Sequence, residues 1–115
     1  MRYSIVIPAY KRSNLITQCL ESIERQIAKP LEVIIVDNNY EEEESKKLKR
    51  LVNKISIKNL LNIVLIKSPK NSGAIARNIG ARSCKGQIVA FLDSDVILDD
   101  NYYSILLDYF SSKKD

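Results

Sequence analysis

Residues 3–7 read Tyr-Ser-Ile-Val-Ile and run directly into Pro8-Ala9-Tyr10-Lys11-Arg12. The apolar part is short, β-branched and nearly continuous rather than alternating. That is the pattern of a strand buried on both faces, and so of a parallel sheet. A proline and then two cations close it. The same pattern recurs three times. Val33–Val36 ends in Asp37-Asn38-Asn39, and Ile88–Leu92 ends in Asp93-Ser94-Asp95. Ile63–Ile66 is followed, after Lys67, by Ser68-Pro69-Lys70-Asn71-Ser72-Gly73. Three of the four ends carry Asp or Asn.

The intervals between the runs are long enough for crossover helices. Leu15, Ile16, Cys19, Leu20, Ile23 and Ile27 fall at helical spacing, with Ser13 placed to act as the N-cap. Leu48, Leu51, Val52 and Ile55 repeat the spacing in the second interval. There the charges run from Glu41–Glu44 to Lys46, Lys47, Lys49, Arg50 and Lys54. Acid first and base last suits the helix dipole, and the run reads as a solvated face. A third helix is expected over Gly73–Cys84, closed by Gly86 at its C′ position. Gly80 lies inside it; a helical Gly costs about 1 kcal/mol against Ala, so it predicts a close approach to the sheet. A fourth helix is expected over Asp100–Phe110. Right-handed crossovers then wind the β-α-β-α-β-α-β-α order into a Rossmann-like, three-layer α/β/α fold with a mainly parallel sheet. Ligands of such sheets bind beyond the carboxyl ends of the strands, where the polar residues here are gathered.

Composition narrows the function. The chain has 115 residues, 45% of them hydrophobic, and Leu, Ile, Val and Phe make up about a third of it, enough for a real core in one domain. Its 18 Lys and Arg against 14 Asp and Glu leave a net charge of +4. No basic arm with interleaved aromatics accompanies that charge, so small anionic ligands are expected and nucleic acid is not. No run approaches the ~20 apolar residues of a membrane span, and the N-terminal apolar run is too short for a signal peptide. Histidine is absent and the cysteines number two, which excludes the common zinc sites and every His-dependent triad. Cys19 and Cys84 are expected to be reduced core residues, with a cytoplasmic address.

Among the strand-end residues, Asp93 and Asp95 are the sharpest signal. In an extended segment residues i and i+2 point the same way, roughly 6.6 Å apart. Two carboxylates on one face repel unless a cation joins them. A hard ion such as Mg²⁺ or Mn²⁺ prefers oxygen ligands and completes its shell with phosphates. The competing reading is a turn or helix N-cap that uses Asp for local hydrogen bonds. Asp37 either accepts a base N–H or ribose hydroxyl, or closes an Asx-turn with Asn38 and Asn39. Arg77, one turn into the third helix, is either an anion contact near the helix N-terminus or a solvated side chain.

Taken together, SIVIPAYKRSNLITQCLESIERQ, EVIIVDNN, NSGAIARNIGA and KGQIVAFLDSDV resemble the successive motifs of the family 2 glycosyltransferases of GT-A fold, over roughly residues 3–96. The resemblance implies transfer of a sugar, of hexosyltransferase type and with inversion, from a nucleotide-diphospho-sugar donor. A UDP, dTDP or GDP sugar, a saccharide or lipid-linked acceptor and a Mn²⁺ or Mg²⁺ ion are implied with it. By position, Pro8, Ala9, Tyr10 and Arg12 would line base and ribose, Asp37 would bond the base, and Arg77 would contact the nucleotide. Asp93 and Asp95 match the family's D-x-D motif, with Asp95 on the metal and Asp93 on ribose or on the metal's water. The chain departs from many members in following Asp37 with Asn-Asn. It also ends some twenty residues after Asp95, whereas family domains continue into an acceptor-binding half that carries the general base. Residues 1–115 are therefore expected to be the nucleotide-sugar-binding portion, with the C-terminal acceptor part missing and the chain alone inactive. A sheet edge exposed by that loss would invite homo-oligomers. The intact enzyme would serve polysaccharide biosynthesis from the cytoplasm, in solution or peripheral to the inner face of the membrane.

Three rivals share the βα alternation. A receiver-type signalling module needs acids after strand one and a phospho-acceptor Asp after strand three. A nucleotidylyltransferase wants a Gly-rich loop after strand one, and a dinucleotide-binding dehydrogenase wants G-x-G-x-x-G. None of these patterns is present. A non-catalytic nucleotide-binding α/β domain is a further alternative, and a plain interaction scaffold would predict no metal-dependent nucleotide binding.

Overall fold

The computed structural model describes residues 1–58, 61–69 and 72–112. Asn71, expected at the opening of the third helix, lies outside the described residues. The chain folds as β1 (Tyr3–Ala9), a 3-10 turn (Ser13–Leu15), α1 (Ile16–Glu24), β2 (Glu32–Asp37), α2 (Glu42–Lys58), β3 (Ile63–Lys67), α3 (Gly73–Ser83), β4 (Ile88–Phe91) and α4 (Tyr102–Ser112). All pairings are parallel, in the order β3-β2-β1-β4. The expected Rossmann-like α/β class is the observed one. No helix of the described residues is long and apolar enough to cross a membrane.

Alternation along the inner strands splits the core in two. Tyr3, Ile5 and Ile7 of β1 and Val33 and Ile35 of β2 face α1, α2 and α4, packing with Ile16, Cys19, Leu20, Ile23, Leu48, Val52 and Tyr103. Val6, Ile34 and Val36 face the other way, onto Ala76 of α3. Each such aliphatic side chain is worth about 1.5–3 kcal/mol when fully buried. The continuous apolar reading therefore holds for β1 and β2. It fails for β3 and β4, which are the sheet edges. On the face covered by α3, Val64 remains 37% exposed and Phe91 50%.

Three local expectations are corrected. Ser13 caps nothing: Lys11 and Arg12 take left-handed φ values of 52° and 47°, the chain enters a 3-10 turn at Ser13, and α1 starts without a side-chain cap. Ile27 is not on α1, because the Gln26 side chain draws the chain away. Its amide donates to the Asp99 carbonyl (2.5 Å) and its carbonyl accepts from the Tyr103 amide (3.1 Å), leaving Ile27 71% exposed. Gly86 is not a left-handed C′ residue, since no glycine has positive φ and α3 ends extended at Cys84. Its smallness serves a close approach instead: a Cβ there would stand 2.7 Å from the Ser4 nitrogen. Gly80 behaves as expected, with its missing Cβ directed at Val6. Both cysteines are free thiols, Cys19 buried and Cys84 half-buried.

Candidate functional site

The strand order decides where a site can form. The chain winds outward from β1 through β2 to β3 and then crosses back to lay β4 on the other side of β1, so the switch point lies between β1 and β4. The two strands are also unequal in length. Their last paired residues are Val6 and Phe91, and the Leu92 amide still donates to the Val6 carbonyl at 2.9 Å. Beyond that, β1 continues to Ala9 while the segment after β4 turns away. Pro8 suits this stretch. Alternation points its nitrogen toward the vacated β4 side, so its missing N–H removes no ladder bond.

A cleft of 440 Å³ opens in the gap, lined by Pro8, Tyr10, Lys11 and Arg12 from β1 and by Asp93, Ser94 and Asp95 from the segment after β4. Asp93 and Asp95 come together through a turn, closed by the Val96 amide on the Asp93 carbonyl at 3.3 Å, and not through an extended strand. Nor do they cap α4, which starts at Tyr102. Among the described residues, neither carboxylate is engaged in a hydrogen bond or ion pair. Beneath the turn, the Cys19 thiol lies 3.7 Å from the Asp93 carbonyl. Burial, then the Asp95 and Asp93 carboxylates, push that thiol up to about 12.

The donor set suits a hard divalent cation: two exposed carboxylates, no thiolate or imidazole, and an open cleft for further oxygen ligands. No group of three or more His, Cys, Asp or Glu is gathered among the described residues, so most of the shell would come from ligand and water.

The other sequence candidates are distributed as follows. Ala9 is buried in β1 and offers the cleft no side chain. Asp37 is buried at the end of β2, outside the cleft. Its Oδ1 accepts from the Asn39 backbone and side-chain amides, at 3.0 and 2.9 Å, which is the Asx-turn reading with Asn39 as partner. Its Oδ2 lies 3.6 Å from the Lys67 ammonium. Arg77 is exposed and folds back over the first turn of α3, 3.6 Å from where a Gly73 Cβ would stand. A cation at a helix N-terminus is unfavourable without an anion nearby.

Several residues carry more than the sequence suggested. Tyr10 stacks on Tyr40, with ring centroids 6.2 Å apart, and Lys11 lies 5.4 Å over the Tyr10 ring and 3.7 Å from Glu41. Tyr10, then Glu41, raise the Lys11 ammonium above its ordinary value. Asn38 donates its amide to the Ala9 carbonyl (2.8 Å) and accepts from the Ser72 amide (3.1 Å). Asn39 accepts from the Lys11 amide at 2.6 Å. The Asn-Asn pair thus joins the ends of β1 and β2 to the start of α3. Its only signal in sequence is its place after Asp37.

A doubly wound parallel sheet in the order 3-2-1-4 is the α/β class to which the GT-A glycosyltransferases belong. The chain matches the family model of glycosyl transferase family 2 over residues 4–115 and belongs to that family. It is 36% identical over 93 residues to the amylovoran biosynthesis glycosyltransferase AmsB of Erwinia amylovora, covering 81% of this chain and 30% of AmsB. It is 33% identical over 99 residues to the poly(ribitol-phosphate) beta-glucosyltransferase of Bacillus spizizenii, covering 83% and 15%. The S. aureus TarS 1-349 structure in complex with UDP superposes with a TM-score of 0.80 at 25% identity, covering 97% of this chain and 32% of TarS. A TarS complex with UDP-GlcNAc gives 0.79. The chain thus spans about a third or less of the relatives it matches. The receiver alternative is excluded by topology: that fold sets β3 beside β1, whereas here β1 lies between β2 and β4.

Proposed function

We propose that the β1–β4 cleft is the donor site of an inverting, divalent-cation-dependent hexosyltransferase, and that this chain is its nucleotide-sugar-binding portion. The observation that carries the reading is the pairing, across one cleft, of two unengaged carboxylates with Lys11 and Arg12. Cations alone would suit any phosphate. Carboxylates alone would repel a diphosphate, unless a metal ion lies between them. Asp95 and Asp93 would hold Mn²⁺ or Mg²⁺, and the ion would neutralise charge on the departing nucleoside diphosphate. Arg12 would pair with phosphate as a planar donor, and the Tyr10 ring and Pro8 would bound base and ribose. Asp37 and Arg77 would complete the nucleotide site from the same rim of the sheet. The complexes of TarS with UDP and UDP-GlcNAc support a UDP-sugar donor. The name of the amylovoran relative supports a role in polysaccharide synthesis. A saccharide or lipid-linked acceptor and a cytoplasmic or membrane-peripheral location belong to the same proposal.

Calorimetric titration with UDP, dTDP and GDP, with and without Mn²⁺, tests the reading. One nucleotide is expected to bind more tightly with the ion, and Asp95→Ala to abolish that gain with the melting curve unchanged. Binding that ignores Mn²⁺ would refute the metal's role. The chain alone is expected to transfer no sugar.

A further inference from the structure

Arg12 lines the cleft from an unusual backbone conformation. Lys11 and Arg12 both lie in the left-handed region, at φ 52° and 47°. For residues other than glycine this costs roughly 1–2 kcal/mol each, so the surroundings must hold them there. The direct restraint on Lys11 is its backbone N–H, which donates to Asn39 Oδ1 at 2.6 Å.

Asn39 is itself held. It is 4% exposed, and its Nδ2 and backbone N–H both donate to Asp37 Oδ1. A carboxylate only accepts, so Nδ2 must face Asp37 and Oδ1 must face Lys11. Lys67 donates to the Asn39 carbonyl and sits beside Asp37 Oδ2, which fixes the other side. No other side chain of this size does the same work. Aspartate would set a second carboxylate against Asp37, and alanine would leave the Lys11 amide without its acceptor.

We propose that Asn39, locked by Asp37, is a positioning residue for Arg12: it holds the Lys11–Arg12 backbone in the conformation that delivers the Arg12 side chain to the cleft. The inference rests on the donor-site reading above. It gives Asp37 a role in the site that needs no contact with nucleotide.

The test combines hydrogen exchange with UDP–Mn²⁺ titration of the wild-type chain, Asn39→Ala, Arg12→Ala and the double variant. The Lys11 amide, on an exposed residue, should exchange slowly in the wild type and freely in Asn39→Ala. Each single variant should bind UDP about tenfold more weakly, the effect of losing one charged contact. The double variant should bind no more weakly than Arg12→Ala, because Asn39 acts through Arg12. Losses that multiply to about a hundredfold overturn the proposal, and so does an Asn39→Ala chain that binds like the wild type. Equal exchange of the Lys11 amide in both overturns it whatever the nucleotide does. If the wild type binds no nucleotide, the donor-site reading fails, and the exchange result alone decides the hold of Asn39 on Lys11. Should Asn39→Ala not fold, Asn39→Ser replaces it, since its hydroxyl can still bond Asp37 but is too short to reach Lys11.

Discussion

The Cβ that Gly80 lacks would stand 2.3 Å from Cγ1 of Val6 and 3.2 Å from its Cγ2. Helix α3 therefore lies directly on β1, with both valine methyls in the way of any larger residue. Val6 is fully buried, so relieving the contact requires either a new Val6 rotamer inside a packed core or a shift of α3. Gly80→Ala is expected to destabilise by about 1–3 kcal/mol from overpacking, less up to ~1 kcal/mol of gained helix propensity. Thermal unfolding checks this; an unchanged or raised melting temperature contradicts the packing.

Glu32 ties β2 to β1 and to the segment entering β4, at the start of the β1–β4 pairing. It is 3% exposed, and its Oε2 accepts from Ser4 Oγ at 2.8 Å and from the Lys85 amide at 2.5 Å. Glu32→Ala leaves the buried Ser4 hydroxyl and the Lys85 amide without this acceptor and is expected to cost about 2 kcal/mol. Glu32→Gln keeps an acceptor oxygen and should recover most of that. Urea melts of the two variants separate hydrogen bonding from simple loss of volume.

Alkaline pH should weaken the fold through Cys19. Its ordinary value of 9.0 is pushed up to about 12, mainly by burial. Between these values the unfolded chain has lost the thiol proton and the native chain still holds it. Stability from this group is therefore complete below pH 9 and falls as pH rises toward 12, by about 1.4 kcal/mol at pH 10. Tyr3 and Tyr103, also raised by burial, add to the fall above pH 10. The difference in stability between wild type and Cys19→Ala, followed by denaturant melts from pH 7 to 10, should shift by that amount; a pH-independent difference contradicts it.

Strand β4 is a sheet edge, and its last residue, Phe91, is half exposed. Unpaired edge strands template further pairing, and a lysine on the edge opposes it. The chain is expected to associate as its concentration rises, and Phe91→Lys to reduce that association. Sedimentation velocity over a range of concentrations decides, with a monomer throughout as the contrary outcome.

Much of the architecture was legible because it depends on local pattern. Tyr3–Ile7 and Val33–Val36 announce two-sided burial by lacking alternation, and the spacing of Leu48, Leu51, Val52 and Ile55 permits only a helix with one apolar stripe. Gly80 was legible for the same reason, since a glycine that weakens a helix needs a packing cause. The edge strands were misread because Ile63–Ile66 and Ile88–Leu92 have the composition of inner strands. How many neighbours a strand has is settled elsewhere in the chain.

The site divides along the same line. Asp93 and Asp95, two positions apart, could be marked as a pair from the primary sequence, since chain connectivity keeps them close in any conformation. That Arg12 faces them, eighty residues away, follows from β1 pairing with β4 on one side and β2 on the other, which no local pattern encodes. The left-handed turn at Lys11 and Arg12 was equally invisible. Neither residue is a glycine, and the force that holds the turn comes from Asn39 on a neighbouring strand end. Helices and strands follow from interactions a few residues apart, whereas the cleft is made where distant strand ends meet.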